Sequence, residues 1–257
     1  MNCKSVIIQL VFLFGIILPG QAQRSKKRDK FPSYFGFQYK PLFAGDFLGT
    51  STTTLSEGTL TAVVKQKFGY SFGASVRVGL TRLVSLETGI NLVQRNYNVD
   101  YDYPDSSLTA HGRLSMLNYD IPLNGLVYIQ LGEALFMNTS LGVSAVYRPS
   151  NVFDTTLVEP YDLFALEGRR TSKVGLEMNA NVGFEYRTES SGIFYIGISG
   201  RVPFKPIYEI AGIYQSGSTK VAAFGQLTGT YLSLDFRYFF PNTRNRGTQF
   251  MQGPIEQ

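Results

Sequence analysis

The 257-residue chain has no tryptophan, one histidine and one cysteine. Cys3 lies ahead of the first apolar run, so the chain that follows has no thiol, which excludes disulfides and cysteine chemistry from it. A cysteine ahead of that run is also misplaced for a lipid anchor, which belongs just after it. Catalysis has little to draw on, because His111 is the sole imidazole. Long apolar runs are missing too. After residue 23 nothing approaches the roughly 20 apolar residues of a spanning helix, so any membrane crossing falls to strands. A basic stripe of the kind that binds nucleic acid is also absent. The formal charge of +5 belongs to Lys4 and to Arg24–Lys30, and from Phe31 onward 18 basic residues face 18 acidic ones.

The beginning of the chain reads as an export signal. Lys4 is followed by the apolar stretch Val6–Leu18 and by Gly20 and Ala22, which predicts a signal peptide over 1–22 and a mature start at Gln23. Residues 23–33 then form a basic leader, expected on the periplasmic side as a solvated lead-in to the first strand.

From Phe68 to Phe240 the sequence alternates with a period of two. In the last segment Tyr231, Ser233, Asp235 and Arg237 make one row, and Leu232, Leu234, Phe236, Tyr238 and Phe240 the other. Side chains of a strand point alternately to opposite faces, so these two faces meet different media. Alternation and turn residues predict eight strands, over 34–48, 65–79, 83–98, 114–130, 134–148, 174–187, 193–204 and 226–240. The connections alternate between tight turns and the long loops 49–64, 99–113, 149–173 and 205–225. Short turns at one end and long loops at the other describe an all-β, eight-stranded antiparallel up-and-down transmembrane β-barrel over 34–240, with a periplasmic tail at 241–257.

A soluble lipocalin-like barrel would bury the apolar row around a ligand instead. The polar row argues against that. It contains Gly69, Ser71, Gly73 and Ser75, then Asn179, Asn181 and Gly183, with almost no lysine, as suits a narrow interior better than a solvated surface. The apolar row carries rings near its ends, among them Phe68, Tyr119, Tyr147, Tyr186 and Tyr238, where aromatic girdles belong. Eight strands leave an interior filled by side chains. Lys40, Arg77, Glu87, Arg95, Asp120, Glu177, Glu185, Arg187, Arg201, Asp235 and Arg237 are predicted to point inward and pair as a polar plug.

Three segments carry a family likeness: Leu86-Glu87-Thr88-Gly89-Ile90-Asn91, Asn118-Tyr119-Asp120-Ile121-Pro122-Leu123 and the final Tyr231–Phe240. In these the chain resembles small bacterial outer-membrane barrels of the PorT-like group and, more loosely, eight-stranded barrels of the OmpX and OmpA type. The resemblance implies an outer-membrane location, contact with outer-membrane lipid and with the barrel insertion machinery, and another envelope protein as partner. It does not single out one function, since such barrels serve secretion, assembly and adhesion.

Two loops hold residues with chemical potential. The second has His111 with Ser115, which could serve an outer-leaflet lipid-modifying hydrolase or acyltransferase, although no orienting acid is visible in the sequence. It also has Asp100, Asp102 and Asp105, hard oxygen donors for calcium without the glycine and terminal glutamate of an EF-hand loop. The third loop joins Asp154, Glu159, Asp162, Arg169 and Arg170 to Tyr161 and Phe164, a mixture suited to holding a partner. The first loop is rich in Ser and Thr and reads as flexible. No cofactor or resident metal is expected, and the leading expectation is a non-enzymatic barrel acting through its loops or periplasmic rim.

Overall fold

The computed structural model describes residues 33–45, 50–81, 83–104, 108–158, 162–188 and 190–241. The expected signal peptide, the basic leader up to residue 32 and the tail beyond Pro241 lie outside the described residues.

Among the described residues, thirteen strands carry the fold. They are β1 (Ser33–Ala44), β2 (Thr52–Glu57), β3 (Leu60–Gly79), β4 (Val84–Tyr103), β5 (Leu108–Gln130), β6 (Leu135–Tyr147), β7 (Val152–Val158), β8 (Asp162–Arg170), β9 (Val174–Thr188), β10 (Gly192–Pro203), β11 (Tyr208–Ser216), β12 (Thr219–Leu227) and β13 (Tyr231–Phe239). Nine form one antiparallel sheet in the order β1-β13-β10-β9-β6-β5-β4-β3-β2. β1 pairs with β13 along one edge and with β3 along the other, from Ser33 opposite Val78 to Leu42 opposite Gly69. Pairing therefore runs in a ring through β1, β3, β4, β5, β6, β9, β10 and β13, while β2 borders the first part of β3.

The remaining four strands build a second antiparallel sheet, β12-β11-β8-β7. Here the structure corrects the sequence reading: the segments taken as long loops are largely β-structure. Segment 49–64 holds β2 and the start of β3, 149–173 holds β7 and β8, and 205–225 holds β11 and most of β12. Segment 99–113 is mainly the ends of β4 and β5. The expected strand over 226–240 is the end of β12, a turn through Gly229 at φ 75°, and β13. Two-residue turns make the first and last of these hairpins, and each opens on a glycine in the left-handed region, Gly58 at φ 58° and Gly217 at φ 55°. Such turns match the twist of the strands they join.

Both rows of the long strands exchange polarity part-way along. On β5 the exposed row runs Leu117, Tyr119, Ile121, Leu123, Val127 and Ile129, but towards Leu108 it continues as Ser115, Arg113 and His111. The buried row changes in the opposite sense, from Asn124, Asp120 and Asn118 to Met116 and Leu114. β4 behaves alike: Arg95, Asn91 and Glu87 are buried at one end, Tyr97, Val99 and Tyr101 at the other. On β3 the register shifts between Lys67 and Tyr70, so that Lys67 and Phe68 both face outward. This bulge puts Leu60, Ala62 and Val64 inside on one side of it, and Ser71, Ser75 and Arg77 inside on the other.

The ring thus has a section with a polar interior and an apolar outside, bordered by rings. Phe35, Phe37, Phe194, Tyr238 and Phe240 cluster near its tight-turn rim, with Phe35 and Phe240 stacked at 6.1 Å, and Phe43 meets Phe68 at 5.7 Å towards the other end. Beyond that end lies a cap of inverse polarity. β2 and the ends of β3, β4 and β5 form half its wall and the second sheet the other half, around one apolar core. Leu55, Leu60, Val64, Met116, Phe164, Leu166 and Ile207 are fully buried there.

Candidate functional site

All eleven side chains expected to point inward meet in the polar section. Near the tight-turn rim, Arg77 Nε and Nη2 donate to Glu87 Oε2 at 3.0 and 2.9 Å, and Nη1 donates to Glu185. Glu185 also accepts from Arg187 Nε at 2.7 Å and from Asn138 at 3.3 Å. Arg237 spans Glu87 and Asp235 with two bonds of 2.6 Å, and Lys40 reaches Asp235 at 3.0 Å. Nearer the cap, Arg95 Nη2 donates to both oxygens of Glu177 at 3.0 and 2.8 Å, and Arg201 donates to Asp120 while lying 3.9 Å from Glu177.

The guanidinium planes also rest on buried rings: Arg77 on Phe239 at 4.1 Å, Arg187 on Phe136 at 3.9 Å, Arg237 on Tyr195 at 4.6 Å and Arg95 on Tyr231 at 4.8 Å. Stacking and forked hydrogen bonding are what arginine offers and lysine does not, which explains why arginine dominates this interior. Small residues make room for the rings. A Cβ on Gly197 would overlap the Tyr195 hydroxyl and lie 2.7 Å from the Val182 carbonyl oxygen. Between the two groups of charges is a cavity of about 20 Å³ beside Lys40, Asn179 and Arg201, room for about one water.

Sequence reasoning missed Arg148, whose Nη2 donates to Glu177 Oε1 at 3.3 Å. The signal was present, since the buried row Asn138, Ser140 and Ser144 of β6 continues in step to Arg148. Tyr195 was also missed as an interior residue, whereas Tyr231 is buried as its place in the polar row of the last segment implies. A tyrosine in the polar row breaks the binary pattern, yet beside arginines it is a natural filler.

The third segment differs from the expected exposed loop. Phe164 is fully buried and packs against Tyr101 at 5.1 Å and Tyr214 at 5.0 Å. Asp154 Oδ2 accepts from the Arg113 amide at 2.9 Å, tying β7 to β5, and Asp162 Oδ1 accepts from the Tyr214 hydroxyl at 2.9 Å. Arg170 donates to the carbonyls of Arg148 and Pro149. Of the described candidate residues in this segment, Arg169 alone stands free, on the outer face of the second sheet, and Glu159 and Tyr161 lie outside the described residues. Asp154, Asp162 and Arg170 thus pin the cap together, because two short strands need seams on both sides. On the opposite seam Thr53 Oγ1 bonds the Gln226 carbonyl and Thr228 Oγ1 that of Thr50.

His111 and Ser115 share the exposed face of β5 but do not meet. Four residues of strand separate their Cα atoms by roughly 13 Å. The acid not visible in the sequence is Asp100, whose Oδ1 lies 2.9 Å from His111 Nδ1 while its Oδ2 accepts from Lys65 at 3.0 Å. The bonds from His111 and then Lys65 hold the Asp100 carboxyl below its ordinary pKa. Ser115 donates instead to Asn96 at 2.9 Å, so this hydroxyl does not face the imidazole. Asp102 points outward on the same strand as Asp100 and Asp105 lies outside the described residues; among the described residues no group of three or more His, Cys, Asp or Glu could hold a metal ion.

No family model and no curated protein matches the chain. Among solved structures it is similar to the outer membrane protein OprG from Pseudomonas aeruginosa, with 13% identity and a TM-score of 0.48 over 83% of this chain and 98% of that one. It is also similar to the transport unit of the autotransporter AIDA-I from Escherichia coli, with 11% identity and a TM-score of 0.28 over 93% and 98% of the two chains. The translocator domain of the autotransporter NalP from Neisseria meningitidis aligns at 6% identity and a TM-score of 0.23, again over 93% and 98%.

Proposed function

We propose that this chain is an eight-stranded up-and-down β-barrel of the bacterial outer membrane, exported by its cleaved leader and non-enzymatic. Its interior is a closed polar plug, and its cap stands on the outer side. It acts through the cap surface or the periplasmic rim on another envelope protein, as an assembly, secretion-accessory or adhesion component. The exchange of polarity along β3, β4 and β5 carries this reading. An apolar outside with a charged inside has a low free energy only where hydrocarbon surrounds the wall, and the reverse holds only where water does. A basic side chain on a lipid-facing midplane position would cost about 2–4 kcal/mol, and Arg77, Arg95, Arg187, Arg201 and Arg237 all avoid that face. The plug argues for a scaffold rather than a pore, since ion pairs and stacked rings cross the interior and the apolar cap core closes over them.

Planar-bilayer recording of the purified chain tests the closed interior, with no stable conductance expected. Large, stable channels from a correctly folded monomer would overturn it. Fractionation of cells expressing the chain tests location, with recovery in the outer membrane expected.

A further inference from the structure

The outward face of the second sheet carries an arrangement that neither the plug nor the cap core requires. Glu167, Ala211 and Phe224 lie side by side across β8, β11 and β12, and Arg169, Glu209 and Gln226 form the next row. The short side chain of Ala211 on the central strand leaves a depression of about 460 Å³ between the taller side chains. Phe224 is 73% exposed and stands as one wall of it. Among the described residues, no hydrogen bond or ion pair engages the side chains of Glu167, Arg169, Glu209 or Gln226. Arg169 and Glu209 are direct cross-strand neighbours and still form no ion pair.

From this geometry we infer a binding site for a neutral oligosaccharide. A sugar ring offers C–H groups on its faces and hydroxyls at its edge. A phenyl face accepts the first, and two carboxylates, an amide and a guanidinium around a shallow floor supply acceptors and donors for the second. Other ligand classes fit less well. Two carboxylates against one guanidinium disfavour a phosphate or sulfate group. Phe153 stands beside Glu167 at the far end of the row, but the four polar side chains between the two rings disfavour an acyl chain. An added peptide strand needs a free edge, but β7 is bonded to β5 through Asp154 and Thr156, and β12 to β2 through Thr53. No third carboxylate joins Glu167 and Glu209 to make a cation site. The site rests on the proposed outward placement of the cap, which brings it to the cell surface.

The test uses the full chain in detergent and in lipid nanodiscs, with hexasaccharides of glucose, mannose, galactose and N-acetylglucosamine as probes. Saturation-transfer NMR should show binding of at least one, weakened about tenfold or more by F224A and by E209Q, with H111A unchanged. Heat-modifiable gel mobility checks that each variant is folded. Three results would overturn the inference: none of the four probes binds the folded wild type, F224A binds as the wild type does, or F224A changes only adhesion to vesicles, which would make Phe224 a membrane-surface anchor. Failure of the chain to fractionate with the outer membrane would instead sink the barrel reading, whatever the glycan result.

Discussion

Replacing Glu177 by glutamine should be far more damaging than replacing its partner Arg148 by methionine. Glu177 is fully buried and, among the described residues, is the only hydrogen-bond acceptor for the side chains of both Arg95 and Arg148. The polar section holds Lys40, Arg77, Arg95, Arg148, Arg187, Arg201 and Arg237 against Glu87, Asp120, Glu177, Glu185 and Asp235, so cations already outnumber anions. E177Q deepens that imbalance and leaves Arg95, two of whose nitrogens already have no partner, without a counter-charge. Stranding a buried charge costs about 3–5 kcal/mol. R148M leaves Glu177 paired with Arg95 and replaces a weakly bonded cation with an apolar chain of similar length, for which a change under about 1 kcal/mol is expected. Urea titration of both variants in lipid vesicles, run in the folding and unfolding directions and followed by circular dichroism, gives the comparison. If E177Q and R148M fall within about 1 kcal/mol of one another, the interior is not held by its charges in the way described.

F164A should loosen the cap and spare the wall, because the truncation removes a ring from the apolar core at about 3–5 kcal/mol. External protease should then cut segments 152–170 while heat-modifiable mobility persists. Deleting 154–170 should do the same more severely, since it strips one wall from that core. G197A should cost about 1–3 kcal/mol through overpacking against Tyr195, seen as a lower urea midpoint. Asp100 has a depressed pKa, so its contribution to the cap is complete above the unfolded value near pH 4 and fades as pH falls through the folded one. Protease susceptibility of the cap should therefore rise below about pH 4 in the wild type, and D100N should show less of that dependence.

The polar-lined part of the ring was legible because its two faces impose opposite demands on every second residue. Leu232, Leu234 and Phe236 against Ser233, Asp235 and Arg237 leave no other register, and the structure has these two rows on opposite faces. The cap was not legible for the complementary reason. Its strands are six to nine residues long in β2, β7, β8, β11 and β12, and their apolar rows are buried on the side where the wall keeps its polar ones. Leu60, Ala62 and Val64 alternate cleanly, but one bulge puts them out of phase with Ser71, Ser75 and Arg77. The inward charges could be named from sequence, whereas their partners could not, since Arg77 meets Glu185 across 108 positions. The row on the second sheet was hidden because Glu167, Ala211 and Phe224 become neighbours only through pairing across three strands.

The seams at β1–β13 and β2–β12 have a consequence for the order of events during biogenesis. They join Phe43 to Leu232 and Thr53 to Gln226, nearly the two ends of the described chain. Contacts so distant in sequence are slow to form, because the entropy of closing a long loop is lost before any contact repays it. Wall and cap are both completed by the last strands, so a polypeptide halted before Tyr208 has neither. It presents one unpaired edge of β1 and, on β3 to β5, a bare apolar row. A finished cap can therefore exist only on a molecule whose β11–β12 hairpin has arrived, and its resistance to protease reports that the chain has been delivered at least as far as Leu227.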